Sequence, residues 1–407
     1  MPVRLSDRFD FDRKESDDRN MNKKISLGLA ISLVAVSIAV TFVLTSFFSL
    51  KKYNRQIIDV NEKGKVYSSL QLLDAQTREK YYGDINEENL SEGILKGYVN
   101  GLGDKFSKYL SQEEYISEKT SNSGESVGLG LTLAQDSSGY MRISEITDDS
   151  PASDEGLEVN DMITFVEKLD VKKAGFDEAV EAMRGTEGSS INITVRRNGI
   201  DKEYTLTRRT MEVQTVTGEM LNGYVGYIKI TGFKGNTPQQ FADILERLTS
   251  NGAENLIFDL RDNRGELMES MAECINPLLP EGIFASAEYK DGHTETVIYS
   301  DESELDIPMT VLVNGNTASA AEVFAAALHD AGKAEIIGVQ TAGKGVLQEI
   351  NDFQNGSAVI LTVAEIVTPV SGSFNGSGIT PDYIVENEDE QYSKALEIIQ
   401  QKKNGQT

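Results

Sequence analysis

Residues 309–332 read "MTVLVNGNTASAAEVFAAALHDAG", a continuous apolar run followed by an alanine-rich segment. The run from Met309 to Gly315 is typical of a buried strand, and the alanine-rich segment has the period of a helix that Gly332 ends. Ser319 therefore lies at a strand-to-helix turn, where the free N–H groups of a helix N-terminus can bind an oxyanion. The pattern predicts an α/β core with a serine nucleophile at this turn.

A lysine follows 25 positions after that serine, in "EIIGVQTAGKGVLQ" (335–348). The first residues are typical of a second buried strand, which delivers Lys344 on a loop between Gly343 and Gly345. A serine hydroxyl is a weak nucleophile until a base removes its proton, and a lysine is such a base only when burial has removed its own proton. Gln348, which we place one helical turn after Lys344, completes the group. Serine at a helix start is usually an N-cap and Gly-Lys-Gly is common in loops, but the combination predicts a hydrolase.

Three motifs resemble the C-terminal processing peptidases, the tail-specific serine peptidases that combine a Ser-Lys dyad with a PDZ module. The family pattern S-A-S-A-S-E-I stands here as "NTASAAEV", G-x-T-x-G-K-G-x-x-Q as "GVQTAGKGVLQ", and D-L-R-x-N-P-G-G as "DLRDNRGE". The resemblance implies Ser319 as the nucleophile, Lys344 as the base and Gln348 as the residue that orients the base. It also implies an oxyanion hole made by the backbone N–H groups of Gly265 and Ala320.

The third motif departs from the family pattern, because Arg264 replaces the usual proline and Glu266 replaces the second glycine. A carboxylate beside a developing oxyanion would repel it. Two classes of function therefore stay open. The first is an active serine endopeptidase, in which we expect the Glu266 side chain to point away from the dyad into solvent. The second is a catalytically weakened PDZ scaffold on a peptidase fold, or a regulated protease.

Other hydrolase classes fit less well. A Ser-His-Asp triad would need His293 or His329, and neither lies in a glycine-punctuated loop. His329 lies about 15 Å from Ser319 along the same predicted helix, at 1.5 Å per residue. Two histidines and one cysteine, without H-x-x-x-H or C-x-x-C spacing, cannot supply a conventional zinc site. We therefore expect no metal and no cofactor, and we expect Cys274 to be a small buried hydrophobe.

Length and composition limit the possible partners of the chain. Its 407 residues are enough for two or three domains, and 39% hydrophobic residues support real cores. A nucleic-acid surface needs clustered lysine and arginine, so a formal net charge of −26 argues against that class of partner. The single cysteine excludes a disulfide bond within the chain.

Residues 25–50 contain no charged side chain and are bracketed by lysine pairs. They reach about 39 Å as a helix, enough to cross a hydrocarbon core of roughly 30 Å. A cleaved signal peptide fits less well, because "TSFFSLKK" offers no small-x-small site. The positively charged flanks are balanced and do not decide the orientation. We expect a single-pass cell-membrane protein, and the family resemblance implies a cytoplasmic N-terminus and an extracytoplasmic catalytic domain.

Residues 127–213 resemble a PDZ module, because "SPASDEGLEVNDMI" is close to the family pattern S-P-A-x-x-A-G-L-x-x-G-D-x-I. Asn160 stands where glycine is usual, and asparagine tolerates a positive φ. A peptide can add to such a module as a strand while loop N–H groups bind its terminal carboxylate. The predicted loop residues are Val127, Gly128, Leu129 and Gly130. In relatives an arginine at the end of the PDZ helix contacts the catalytic region of the switched-on enzyme, which implies Arg184; a helix-terminal cation that offsets the dipole fits equally well.

The chain is therefore predicted to be an α+β multidomain protein. Its expected parts are a cytoplasmic tail (1–24), a transmembrane helix (25–50), a helical arm (51–120), a PDZ-like β-sandwich or barrel (121–213), an α/β Ser-Lys peptidase domain (214–392) and a C-terminal helix and tail (393–407). The arm is a candidate dimerisation element, so we expect a homodimer. Its segment 89–115 resembles the family's helices before the PDZ module and is assigned no chemistry. The expected partners are proteins and peptides whose C-terminal or unfolded segments the PDZ module binds.

Overall fold

The computed structural model describes residues 64–221, 224–301 and 304–403, together with seven isolated positions between 32 and 46. Apart from those seven positions, the predicted transmembrane segment 25–50 lies outside the described residues, as do the tail 1–24 and the start of the arm, 51–63. Within the described ranges, no helix has the length and apolar character needed to cross a membrane. The chain divides into two units, Met1–Glu87 and Glu88–Thr407.

The first unit contains a helix, α1, described over residues 64–80. Arg78 pairs on its surface with Asp74, one turn earlier and 2.9 Å away, an arrangement that favours a solvated helix. Large apolar side chains of the same helix are exposed, among them Tyr67 and Leu72. This helix lies within the predicted arm, 51–120.

The second unit combines helices with three main sheets. Its helices are α2 (Glu87–Asn100), α3 (Gln112–Ser123), α4 (Pro151–Asp154), α5 (Val171–Ala174), α6 (Phe176–Met183), α7 (Thr237–Ser250), α8 (Met268–Ile275), α9 (Ala320–Asp330) and α10 (Glu388–Lys403), with a 3₁₀ turn at Asn276–Leu278. Its strands are β1 (Lys108–Leu110), β2 (Glu125–Gly128), β3 (Leu131–Gln135), β4 (Met141–Ile146), β5 (Met162–Val166), β6 (Leu169–Asp170), β7 (Ser190–Arg197), β8 (Ile200–Thr207), β9 (Arg209–Glu212), β10 (Val216–Leu221), β11 (Val225–Ile230), β12 (Asn255–Asp259), β13 (Gly282–Tyr289), β14 (Thr294–Ser300), β15 (Met309–Val313), β16 (Ala334–Gly338), β17 (Val346–Asp352), β18 (Ala358–Thr368), β19 (Gly372–Ser373) and β20 (Tyr383–Ile384).

The small sheet has the strand order β3-β4-β5-β7-β8, with every neighbouring pair antiparallel. Asn198 and Gly199 both have positive φ in the tight β7–β8 turn, the conformation that the Asn-Gly pair predicts. Asn160 also has a positive φ, of 76°, as expected for a residue in a glycine position. The small sheet encloses its own apolar core, which includes Met141 and Ile163.

The parallel sheet has the order β10-β11-β12-β15-β16-β20, in which only the edge strand β10 is antiparallel to its neighbour. Every residue of β12 and β15 is buried, because helices cover both faces of a parallel sheet. Helix α9 is almost wholly apolar and lies in the main core with Phe233 and Phe258. The loops after β12 and β15 therefore meet at one edge, where α/β sheets form their sites.

The antiparallel sheet is built around the long strand β18, which pairs with β1, β13, β17 and β19. Strand β1 precedes the small sheet in the chain, whereas β18 follows it. The small sheet is thus inserted between two parts of one structure. The two segments that connect the small sheet to the rest of the chain lie side by side. Val213 N–H donates to the Gly124 carbonyl at 2.8 Å, and Asn236 Nδ2 donates to the carbonyls of Gly124 and Val213.

Candidate active site

Ser319 lies between β15 and α9, at the strand-to-helix turn that the sequence predicts. Its backbone has φ 56° and ψ −122°, a region that L-residues adopt rarely and at a cost of about 1–3 kcal/mol. A strained serine between a buried strand and a helix is the arrangement of a nucleophile elbow. The residue is buried, with 7% of its surface exposed. The strain indicates a functional position.

The turn is tied to the loop that follows β12. Thr317 Oγ1 donates to the Leu260 carbonyl at 2.9 Å and accepts from the Asn314 N–H. Ala318 N–H donates to the Asn263 carbonyl at 2.9 Å. These bonds hold the turn of Ser319 against the "DLRDNRGE" loop, residues 259–266.

Glu322 joins the nucleophile turn to the lysine loop. Its carboxylate is fully buried and accepts from Ser319 N–H at 2.9 Å and from Lys344 N–H at 2.8 Å, both on the same oxygen. The other oxygen accepts from Gly343 N–H at 2.8 Å and from Thr341 Oγ1 at 2.5 Å. Because one oxygen receives both donors, the main-chain nitrogens of Ser319 and Lys344 lie within about 6 Å of each other. Sequence reasoning treated Glu322 only as a motif position; the signal was an acidic residue in the first turn of a helix that is then apolar as far as His329.

Lys344 follows β16 on a glycine-flanked loop, as predicted. Burial lowers the pKa of its amine and Lys108 lowers it further, against the opposing charges of Glu118, Glu266 and Asp104. The glycines on either side of Lys344 lie close to the backbone of residues 375–378. A Cβ at Gly343 would lie 2.8 Å from Gly378 N, and one at Gly345 would lie 2.8 Å from Asn375 N. The absence of side chains at Gly343 and Gly345 thus lets the lysine loop pack on the "NGSG" loop, residues 375–378.

Gln348 lies on strand β17, so its expected place one helical turn after Lys344 is wrong. The glycine loop leads directly into a strand that pairs with β18, and its residues belong to a sheet. Gln348 Nε2 donates to the Phe106 carbonyl at 2.8 Å. The amide oxygen of Gln348 is then the atom that can accept a hydrogen bond from another group. Phe106 belongs to the segment 89–115, which was predicted to have no part in the chemistry.

Gly265 packs directly on the nucleophile turn with φ 62°. A Cβ at this position would lie 2.4 Å from the Ala318 carbonyl oxygen and 2.6 Å from Ala320 N, so only glycine fits. Its N–H, the expected oxyanion donor, here donates to Asn263 Oδ1 at 2.8 Å. Ala320 N–H, in the first turn of α9, has no hydrogen-bond partner among the described residues. The structure therefore shows one of the two expected donors already engaged.

Glu266 is exposed, but its side chain is anchored to the protein. Its Oε2 accepts from Phe233 N–H at 2.8 Å. The carboxylate therefore caps the backbone after β11 instead of extending freely into solvent as expected. It still raises the pKa of Lys344, as a smaller contribution than burial.

A groove of about 620 Å³ crosses the small sheet. It is lined by the predicted loop residues Val127, Gly128, Leu129 and Gly130, by β3, and by Val180, Met183 and Arg184 at the end of α6. Val127 and Gly128 differ from the prediction, since they belong to β2 and pair with β9. Leu129 and Gly130 form the turn itself. Gly130 has φ 75°, and its Cβ would lie 2.1 Å from Ser150 Cβ.

Arg184 follows the last residue of α6 and is mostly exposed. Its guanidinium pairs with Glu181 at 2.8 Å. In the described part of the chain it makes no ion pair or hydrogen bond to the peptidase core, so the contact implied for a switched-on enzyme is not formed in this structure.

Two other side chains that could take part in catalysis, His329 and Cys274, lie elsewhere. His329 Nε2 lies 3.2 Å from Asp382 Oδ1, at the far end of α9 from Ser319. Cys274 is buried in the main core, and burial raises the pKa of its thiol. Neither reaches the site formed by Ser319 and Lys344.

The chain is similar to several known proteins. The model of peptidase family S41 matches residues 224–385, and that of the PDZ domain matches residues 116–196. The carboxy-terminal processing protease CtpA of Bacillus subtilis (strain 168) is 33% identical over 334 residues, which cover 82% of this chain and 72% of that protein. The probable CtpA-like serine protease of Staphylococcus aureus (strain COL) is 28% identical over 381 residues, covering 91% and 76%. The solved structure of the photosystem II D1 C-terminal processing protease has 24% identity and a TM-score of 0.47, covering 76% of this chain and 85% of that one.

Proposed function

The chain belongs to peptidase family S41, and from this premise we propose that it is a membrane-anchored serine endopeptidase that uses a Ser-Lys dyad. Its relatives are carboxy-terminal processing proteases, and its own chain carries both a peptidase core and a PDZ domain. The family supports a serine-type peptidase activity on protein substrates. The residue roles, the anchor and the mode of recognition are the proposal.

The proposed reaction is acyl transfer through Ser319. The neutral Lys344 amine removes the hydroxyl proton while Oγ attacks the scissile carbonyl carbon. Backbone N–H groups of Ala320 and Gly265 stabilise the oxyanion of the tetrahedral intermediate, once Gly265 N–H leaves Asn263. The ammonium then gives its proton to the leaving nitrogen as the C–N bond breaks. Water hydrolyses the acyl-serine through the same base, and Gln348 holds the amine through its amide oxygen.

The shared oxygen of Glu322 is the observation that carries this proposal. It brings the turn of Ser319 and the loop of Lys344 together, and the serine it holds is strained. A buried carboxylate with four donors positions these two segments far more strictly than a helix cap requires.

The test is cleavage of an unfolded protein by the full-length chain in detergent, followed by mass spectrometry of the new C-termini. We expect the wild type to generate peptides and Ser319→Ala to generate none. Ser137→Ala, in an exposed turn of the small sheet, is the matched control and should cleave like the wild type. Peptides that persist in Ser319→Ala would exclude this mechanism.

We propose that the groove of the small sheet selects the substrate. The Leu129–Gly130 turn would bind a terminal carboxylate through its N–H groups, and the peptide would extend along β3. Leu131, Leu133, Val180 and Met183 line the groove, so it favours a C-terminal segment with apolar side chains.

The proposed membrane anchor is inferred from the sequence, and the proposed homodimer is inferred from exposed side chains of α1. The uncharged segment 25–50 would hold the enzyme at the cell membrane with its catalytic domain outside the cytoplasm. The exposed apolar side chains of α1 support the predicted homodimer, because a surface of this kind marks a contact with another chain.

A second candidate, a regulated protease, is favoured by the engaged Gly265 N–H. In that reading Glu266, which replaces the family's second glycine, fixes the oxyanion loop in a resting form by capping Phe233 N–H. Glu266→Gly should then raise turnover, whereas Glu266→Gln should raise it less because the amide oxygen still accepts. Unchanged turnover in both variants would show that Glu266, although it departs from the family pattern, does not regulate activity.

A further inference from the structure

The segment just before the small sheet lies against the proposed base. Lys344 Nζ lies 5.5 Å from the centroid of the Phe106 ring. The carbonyl of Phe106 accepts from Gln348 Nε2 at 2.8 Å, although 242 positions separate the two residues. One residue therefore faces the amine with its ring and holds the orienting glutamine with its backbone.

Several bonds fix Phe106 in this place. The Asp104 carboxylate accepts from Phe106 N–H and Ser107 N–H, each at 3.1 Å, and so closes a tight turn. Ser107 Oγ accepts from Thr362 N–H at 3.0 Å, which ties the turn to β18. Strand β1 begins at the next residue and pairs with β18. The position of the ring is therefore set by the sheet.

We propose that Phe106 is a positioning residue for the base: its ring closes one side of the Lys344 amine to water, while its backbone holds Gln348 beside that amine. This inference rests on the proposed Ser-Lys function and deepens it. It gives the pre-PDZ segment a role in the chemistry of a site that is otherwise built from the C-terminal half of the chain.

Two effects of the ring oppose each other. An aromatic face attracts an ammonium, but 5.5 Å is close to the limit of about 6 Å for this attraction. Exclusion of water penalises the ammonium strongly and favours the neutral amine. Burial is the largest cause of the lowered pKa of Lys344, and because the ring lies near the limit for the attraction we expect exclusion of water to be its larger effect.

Charged groups around the amine must be separated from the effect of the ring. Those that act on Lys344 are Lys108, which favours the neutral amine, and Glu118, Glu266 and Asp104, which favour the ammonium. Lys105 Nζ lies 4.7 Å from the centroid of the same ring. Substitutions at Phe106 leave all five charges in place, so a change in titration reports on the ring.

The experiment compares Phe106→Ala and Phe106→Leu in the full-length chain. The dependence of kcat/KM on pH is measured together with the titration of the Lys344 amine, followed by acetic anhydride labelling and mass spectrometry in a Ser319→Ala background. In Phe106→Ala we expect the midpoint of both curves to move up by at least about half a pH unit, with a roughly threefold or greater loss of kcat/KM at neutral pH carried by kcat. In Phe106→Leu, which keeps an apolar wall, we expect both midpoints close to those of the wild type.

Phe353→Ala is the matched control, because Phe353 packs 6.4 Å from the ring of Tyr109 on β1 and does not face Lys344. It should leave both midpoints unchanged. An unchanged Lys344 midpoint in a folded Phe106→Ala chain would overturn the inference, as would the same shift in Phe353→Ala. Labelling needs no turnover, so it tests Phe106 even if Ser319-dependent cleavage, and with it the proposed function, is not found.

Discussion

Glu322 offers a test at the scale of a single residue. Glu322→Gln keeps the size of the side chain but turns an NH₂ group toward N–H or O–H donors, since all four partners of the carboxylate donate. We expect a loss of about 2–3 kcal/mol in unfolding free energy and a roughly hundredfold loss of turnover as the two segments separate. Urea denaturation and peptide cleavage measure the two effects. Glu246→Gln, on the exposed face of α7, should change neither.

Lys344 gives a prediction in which activity and stability move apart. Because its folded pKa is lowered, the unfolded chain binds more protons between the folded value and about 10.4, so this group's contribution to stability rises with pH in that window. Below the folded pKa the full cost of burying the ammonium is present. Lys344→Met should therefore abolish turnover yet preserve or raise the melting temperature at pH 7.

Lys333 is the matched control for that measurement. Burial opposes its charge, but Glu304 and Asp306 outweigh burial and raise the pKa of its amine. Lys333→Met should lower the melting temperature at pH 7 and leave turnover unchanged. A destabilised Lys344→Met chain with intact cleavage would contradict the role of Lys344 as a base.

The sequence was enough to place Ser319, Lys344 and Gly265, because each lies in a motif whose spacing survives in this chain. It was not enough for the contacts of Glu322 or Phe106. Glu322 and Lys344 are 22 positions apart, and Phe106 and Gln348 are 242 positions apart. These contacts depend on where the neighbouring strands place β16 and β1. Gln348 was misplaced for a related reason, since four positions after a glycine loop do not distinguish a helix from a strand.

At the scale of elements, the end of β12 carries a buried ion pair that joins it to α10. Asp259 is fully buried and accepts from Arg261 Nη2 and Tyr227 Oη, each at 2.6 Å, while Arg261 donates to the Glu388 carbonyl. Burial raises the pKa of Asp259, but the Arg261 and Tyr227 hydrogen bonds outweigh it and the pKa is lowered. The stabilisation is thus present above about pH 3.9 and is lost as the pH falls through the folded pKa.

We expect Arg261→Met to cost about 3–5 kcal/mol at pH 7, because it leaves the Asp259 carboxylate buried without its cation. The loss should shrink in acid, where Asp259 can protonate, and Asp259→Asn in the same chain should recover part of it. Urea denaturation at pH 7 and pH 4 measures these differences. An equal loss at both pH values would show that packing, not charge, holds β12 to α10.

Periodicity and turn chemistry were enough to identify β15, α9, β16 and the β7–β8 hairpin. Strand β1 was not identifiable, since three residues carry no period and their pairing partner follows about 250 positions later. The predicted PDZ loop was half strand for the same reason: Val127 and Gly128 extend because β9 lies beside them.

At the scale of the whole molecule, Arg184 tests whether substrate capture is coupled to catalysis. If the arginine must leave Glu181 and contact the catalytic region, Arg184→Ala should lower kcat by roughly tenfold even on short peptides that do not reach the groove. Glu181→Ala releases the arginine and should preserve or raise kcat. Steady-state kinetics on a short peptide decide this, and equal kcat in all three chains would leave Arg184 as a helix-terminal cation.

The insertion of the small sheet between β1 and β18 also governs how the enzyme is made. During synthesis the residues of β1 leave the ribosome early and wait, while the inserted domain, whose strands are nearly contiguous in sequence, can fold as a unit. The partner of β1 emerges only after Ser319 and Lys344 have been translated. A nascent chain would therefore carry the proposed peptide groove before the proposed catalytic centre is complete, and cleavage of neighbouring polypeptides would begin only after β18 has been released and paired with β1.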